Sequence, residues 1–270
     1  MKGTLALVIV ACSSLQLKAY ETELPLWEAG VLGMNIHQLA YPGSDKQVNR
    51  SFVLPYFVYR GEILRADRDN VGLRAFKSES VELDVGFAAA LGSSDGDIPI
   101  RRGMDDLGTL IEAGPRLRWT LIETDDTSIR ADFPLRGVMD VEDSFSYSGV
   151  SFEPTLFTER VSRDKAFYRF SVSALFGNEK LADYFYQVNS EDVTPWRQQY
   201  DAKGGLIALR SSVSLAKRWS SRWRAFGFAR YEWVNAAKNA DSPLVVKDGG
   251  WSFGVGLTYI WAVSDIRVKP

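Results

Sequence analysis

The chain has 270 residues, of which 46% are hydrophobic and 24% charged, and its 32 Lys and Arg against 34 Asp and Glu leave a formal net charge of -2. There is no basic excess to neutralise phosphates, so nucleic acid is not expected as a partner, and the bulk composition suits neither disorder, a coiled coil nor collagen. The 8 Trp, 11 Tyr, 15 Phe and 22 Gly beside a single Cys and a single His need a positional explanation.

At the amino terminus Lys2 precedes an apolar run over 5–12, followed by a more polar stretch to Lys18. The run is far short of the ~20 residues that span a bilayer as a helix, but it suits the core of a secretory signal with cleavage after Ala19. The expected mature chain is 20–270, which loses Lys2, Lys18 and Cys12, so its formal charge moves from -2 to -4 and it holds no cysteine. The alternative, a lipoprotein box over 9–12 with Cys12 lipidated, also implies export.

No later stretch is long and apolar enough for a membrane helix, whereas alternation with a period of two recurs down the chain. Val81, Leu83, Val85 and Phe87 alternate with Glu82 and Asp84, and Ile129, Ala131, Phe133 and Leu135 alternate with Arg130, Asp132 and Arg136. Tyr168, Phe170, Val172 and Ala174 alternate with Arg169 and two serines. The last two strands carry Trp at both ends of the apolar face. Trp223 to Trp233 and Trp251 to Trp261 are each ten residues apart. At ~3.4 Å per residue and a tilt of roughly 40°, that interval rises about 26 Å, the height of the apolar band between the aromatic girdles of a membrane barrel. Trp27, Trp119, Trp219, Trp223, Tyr231, Trp233, Trp251, Tyr259 and Trp261 are the expected girdle residues.

Short connections at 123–126, 162–164 and 220–221 alternate with long polar ones at 92–109, 178–203 and 235–249. Outer-membrane barrels have short periplasmic turns and long external loops. The expected fold is therefore an all-β, transmembrane, antiparallel up-and-down barrel, with strands near 27–39, 52–60, 62–67, 69–76, 80–91, 110–122, 127–140, 147–160, 165–177, 204–219, 222–234 and 250–261. That makes about twelve strands, or ten if 62–76 is a single kinked strand, with 262–270 left as a periplasmic tail.

Chemistry-bearing constellations are sparse. His37 has no Ser-containing motif beside it, so a hydrolytic site would have to be assembled from distant strands. One His and no mature Cys exclude a Cys/His zinc site. The acidic stretch 93–97 has calcium-binding residue types but lacks the other ligands of an EF-hand loop, and reads as a surface loop. Neither a metal nor a cofactor is expected. On the polar strand faces Arg74, Arg116, Arg118, Arg130, Arg136, Arg169, Arg210, Arg224 and Arg230 accompany Glu82, Asp84, Asp132 and Glu232. These would line the lumen, either as charged pairs that fill and rigidify it or as the wall of a selective pore, and filling is the preferred reading.

An ordered series of short motifs covers nearly the whole mature chain. It comprises Trp27-Glu28-Ala29-Gly30, Tyr41-Pro42-Gly43-Ser44-Asp45, Leu54-Pro55-Tyr56-Phe57 with Tyr59-Arg60-Gly61, and Gly72-Leu73-Arg74. Arg101-Arg102-Gly103-Met104-Asp105-Asp106-Leu107, Glu112-Ala113-Gly114-Pro115, Ala182-Asp183-Tyr184-Phe185-Tyr186 and Tyr200-Asp201-Ala202 follow. In this order the chain resembles the MipA/OmpV family of outer-membrane proteins, departing from it at Tyr186-Gln187-Val188, where the family commonly has Tyr-Gly-Val. The resemblance implies a non-enzymatic barrel in contact with outer-membrane lipid. It also implies a scaffold for a periplasmic murein hydrolase, a lytic transglycosylase, and a murein synthase of the penicillin-binding type. A small pore or uptake channel is the alternative.

Overall fold

The alternating stretches become rungs of one antiparallel ladder. The computed structural model describes residues 24–60, 64–66, 71–78, 80–92, 98–162 and 166–268, with only the backbone described for 64–66, 71–75 and 77. The expected signal segment 1–19 with Cys12, and the acidic stretch 93–97, lie outside the described residues.

In chain order the strands are β1 (Leu24–Pro25), β2 (Trp27–Leu39), β3 (Gln47–Arg60), β4 (Leu64–Ala66), β5 (Val71–Lys77), β6 (Val81–Ala90), β7 (Leu110–Glu123) and β8 (Thr127–Asp140). Then come β9 (Ser146–Phe152), β10 (Thr155–Val161), β11 (Ala166–Gly177), helix α1 (Glu179–Tyr186), β12 (Gly205–Arg218), β13 (Trp223–Trp233), β14 (Gly249–Val263) and β15 (Arg267–Val268). Strands β2 to β14 form one sheet of 13, and all of its pairings are antiparallel between neighbours in the chain except β14 with β2 and the β8–β10 and β9–β11 contacts. Those last two join the ends of the strand order, and the sheet becomes a barrel wall. β9 and β10 share one place in it, between β8 and β11, which leaves twelve places around the ring.

The expected single strand over 147–160 is thus broken in two. The break falls at Glu153-Pro154, where proline has no N–H to give to the ladder. The ladder is thinnest on the opposite side. Two register pairs link β3 to β4, three link β4 to β5 and three link β5 to β6, so among the described residues β3 is paired along 47–58 on its β2 side only. The hairpin expected from 62–76 is present as β4 and β5. β3 starts five residues earlier than the alternation suggested, and β14 runs two residues further, through a bulge after Ile260. The tail beyond it turns back so that β15 pairs with β1, with Ser264 N–H donating to Trp27 O at 2.9 Å.

In β8, β12 and β14 one face is exposed and apolar, as Val213, Leu215, Val255, Leu257, Phe133 and Leu135 show, while the other is buried or half-buried. The largest buried apolar cluster lies outside the barrel wall's midsection, among the long connections at one end. The described residues contain no helix long and apolar enough to cross a membrane.

Candidate functional site: the charged interior and its cap

Register decides which charges meet. β6 opposes Asp84 to Arg116, β7 opposes Arg118 to Asp132, and β10 opposes Glu159 to Arg169, each pair directly across a ladder. Arg116 grips Asp84 with two hydrogen bonds, Nε to Oδ1 at 3.0 Å and Nη2 to Oδ2 at 2.6 Å. Arg118 grips Asp132 the same way at 2.8 and 3.0 Å, and Arg116 Nη1 reaches Asp132 at 3.8 Å. Glu159 accepts from Arg130 at 2.8 Å and from Arg169 Nε at 2.8 Å. The guanidinium groups of Arg169 and Arg118 lie 4.6 and 5.8 Å from the ring centroid of buried Phe157, so the π face supports the two cations that flank it. Bidentate geometry of this kind is the strong form of a charge-assisted bond, and it fixes orientation as well as distance.

A second group is centred on Glu28, which is 1% exposed. Its two carboxylate oxygens meet Arg60 at 3.0 Å and Arg224 at 2.7 Å, and Arg224 also donates to Tyr56 Oη at 3.0 Å. A third joins Glu153, Arg210, Glu232 and Arg230 through contacts of 3.0 to 3.2 Å, with Ser173 donating to Glu153 at 2.9 Å. Beside it Arg136 stands 3.6 Å from Glu112, which also accepts from Ser151 at 2.9 Å. The break at Glu153-Pro154 releases Glu153 from the ladder's alternation and lets it reach Arg210.

Of the residues expected in the lumen, the structure brings Asp84, Arg116, Arg118, Arg130, Asp132, Arg136, Arg169, Arg210, Arg224, Arg230 and Glu232 into these three groups. Glu82 is partly buried two residues below Asp84 and opposite Arg118 in register. Arg74 pairs in register with Asp84, and its side chain lies outside the described residues. Glu28, Arg60, Glu112, Glu153 and Glu159 complete the groups and were not picked out by sequence. The signal that could have found them was their parity, since each Glu has the phase of the buried positions of its strand or lies at a strand break.

His37 sits elsewhere. It is on the exposed face of β2, stacked 4.8 Å from Phe253 and paired with Gln47. Aromatic residues mark the two ends of the exposed face. Tyr231 meets Trp233 at 4.7 Å and Trp251 at 5.0 Å at the long-loop end, and Trp223 meets Tyr259 at 4.7 Å at the other. Trp261, Trp219 and Trp119 are exposed at that second end, where Trp27 is also placed by its pairing with Tyr59.

The long connections close the first end. Asn178 caps α1, its Oδ1 accepting from Leu181 N at 3.2 Å and from Val150 N at 2.9 Å. The helix buries Leu181, Ala182 and Tyr186 against Ile98, Leu107, Val138, Ile207 and Leu244. Tyr186 donates to Pro42 O at 3.0 Å, Tyr41 to Leu244 O at 2.6 Å and Ser242 to Tyr186 O at 3.0 Å. Arg101 donates to Phe185 O at 3.0 Å, and Arg197 to Ile100 O at 2.7 Å. Every long connection therefore holds another. Burial pushes the Tyr41 hydroxyl up to about 12. Burial and the bond to Asp140 also raise Tyr184. At Gln187, the noted departure from Tyr-Gly-Val, φ is -65°, so no left-handed conformation is needed, and the side chain accepts from Ala202 N at 2.9 Å.

The family profile described as MltA-interacting protein MipA matches residues 31–261. Among solved structures, an outer-membrane channel from Pseudomonas putida F1 is 10% identical over 90% of this chain and 99% of its own, with a TM-score of 0.40. A bacterial polysaccharide outer-membrane secretin is 8% identical over 87% and 99%, also at 0.40. A Pseudomonas aeruginosa FadL homologue is 9% identical over 86% and 89%, at 0.35. No curated protein matches the chain.

Proposed function

The chain belongs to the MltA-interacting protein MipA family, and from that membership we infer that it is an outer-membrane β-barrel without catalytic activity, acting as a scaffold for murein-processing enzymes. The partners this reading names are a lytic transglycosylase of the MltA kind together with a penicillin-binding synthase, engaged from the periplasm. Residues 1–19 are the export signal and 20–270 the barrel. The aromatic rows at the two ends of the exposed face are its girdles, and the short turns with the 262–270 segment face the periplasm. The Arg and carboxylate groups fill the lumen rather than conduct.

One observation carries the non-conducting, structural reading. Carboxylates from β2, β6, β7, β8, β10 and β13 each hold an Arg from a neighbouring strand, beneath a cap in which Tyr41, Tyr186, Arg101 and Arg197 tie loop to loop. A wall braced in this way favours rigidity over passage. A scaffold also needs a fixed geometry more than a moving one.

The test is photo-crosslinking in intact cells from a reactive residue at exposed Ile266, beside the β1–β15 pair. Recovery of a murein transglycosylase or synthase is expected, and recovery of neither across several envelope preparations would remove the scaffold reading. Planar-bilayer recording on the purified barrel is expected to give no stable conductance. A steady ion-selective current would favour the pore instead.

A further inference from the structure

The exposed face of β2 and β3 is not apolar throughout. Register places Ala29, Val31 and Gly33 opposite Phe57, Pro55 and Val53, and then Asn35 opposite Ser51, His37 opposite Asn49 and Leu39 opposite Gln47. The lower half of this face is hydrocarbon, and the upper half is a polar ladder. Asn35 Nδ2 donates to Asn49 Oδ1 at 2.7 Å and to Ser51 Oγ at 2.9 Å, while Gln47 pairs with His37 and donates to Trp251 O at 2.9 Å.

The position of this ladder makes it unusual. Asn35 is in register with Val255 of β14 and His37 with Phe253, both exposed apolar residues between Trp251 and Trp261. Val255 is four residues from Trp251, about 10 Å below it at the rise and tilt of a barrel strand. With the barrel in a membrane, Asn35, Asn49 and Ser51 therefore face the hydrocarbon. Polar groups are costly there unless something satisfies them. Among the described residues Asn35 Oδ1 and Asn49 Nδ2 have no partner.

We propose that this ladder is a self-association surface that binds a second copy of this chain within the membrane. A leftover acceptor on Asn35 and a leftover donor on Asn49, one strand apart on the same face, are self-complementary. A twofold axis along the membrane normal brings the Asn49 donor of each copy to the Asn35 acceptor of the other, with both barrels inserted in the same direction. The surface carries amides, a hydroxyl and an imidazole, which suits an uncharged, matching partner. Lipid headgroups lie above the level of Val255 and do not reach it. The apolar patch of Val53, Pro55 and Phe57 beneath extends the same contact face.

The inference rests on the barrel lying in a membrane, and the experiment separates the two. A photo-crosslinking amino acid is placed at Val53, which is 79% exposed beside the ladder, and as a control at Leu135 on the far wall. The full chain is expressed in cells, and membranes are fractionated before irradiation. The expected result is a product from position 53 at twice the chain's mass containing only this chain's peptides, and none from position 135. Asn35→Val with Asn49→Val should lower its yield about tenfold, the factor for losing two symmetry-related intramembrane hydrogen bonds. A folded, membrane-embedded chain that gives no such product at 53, or crosslinks there to a different protein, overturns self-association alone. So does an unchanged yield in the double variant. Absence of the chain from the membrane fraction overturns both readings.

Discussion

Asp132 holds two guanidinium groups at once, Arg118 by a bidentate grip and Arg116 at 3.8 Å. Removing it takes the bidentate partner from buried Arg118, while Arg116 keeps its grip on Asp84, and breaking a buried pair from one side costs about 3–5 kcal/mol. Asp132→Ala should therefore lower the temperature at which the folded band converts on semi-native electrophoresis. Arg160→Ala should not, because Arg160 is 69% exposed in its contact with Asp126 and such pairs contribute within about 1 kcal/mol. Alternation alone predicted the arginines of these networks other than Arg60, since a cation that alternates with lipid-facing apolar residues must point into the lumen. It did not find Glu28, Glu112 or Glu159 as their partners. Pairing depends on register between strands, and register is absent from any one strand's pattern.

The strands were legible as elements because a period of two survives in any barrel wall with one apolar face. The cap was not. Ile98, Leu107, Val188, Ala202 and Leu244 are buried together, but they lie in irregular connections with no period to betray them, and the surrounding Asp, Lys and Ser make the loops read as polar. Two positions hold the cap to the wall. Gly149 has φ +129°, and a Cβ there would stand 2.5 Å from Asn178 Oδ1 and 2.7 Å from Leu181 N. Gly149→Ala should loosen α1 by at least about 1 kcal/mol, read as faster protease cleavage in 178–204 with the strands intact. Tyr41 gives a pH test. Its hydroxyl donates to Leu244 O only while protonated, and its folded value lies at about 12, above the ordinary 10. The folded cap thus binds the proton more tightly, so its contribution is complete below pH 10 and is lost as pH rises through 12. Cleavage of the cap loops should rise between those values, and Tyr41→Phe should flatten the dependence over that window.

At the scale of the whole molecule, a charged interior and a packed cap act in series. Removing either alone should leave conductance low. Replacing 179–203 by a short flexible linker should give a barrel that still shifts on heating and still passes no stable current in a planar bilayer, because the ion pairs below are untouched. The reading of the barrel from sequence was secure for the same reason that its interior was only partly readable. Membrane strands advertise their outward faces through Trp spacing and apolar alternation, whereas the lumen is organised by contacts between strands far apart in the chain. Arg224 of β13 and Glu28 of β2 are an example, meeting at 2.7 Å across the intervening β14.

The bonds from loop to loop also determine how the cell would be seen from outside. Pro42, Leu244 and Tyr186 come from three separate connections and are buried beneath them, where Tyr41, Tyr186 and Ser242 lock the three loops into one fixed outer surface. An antibody or a phage tail meeting that surface would read residues scattered across the sequence as a single epitope. Sera raised against the folded barrel should bind intact cells and lose most of their reactivity after boiling, while sera against single-loop peptides should recognise the boiled chain and leave living cells unstained.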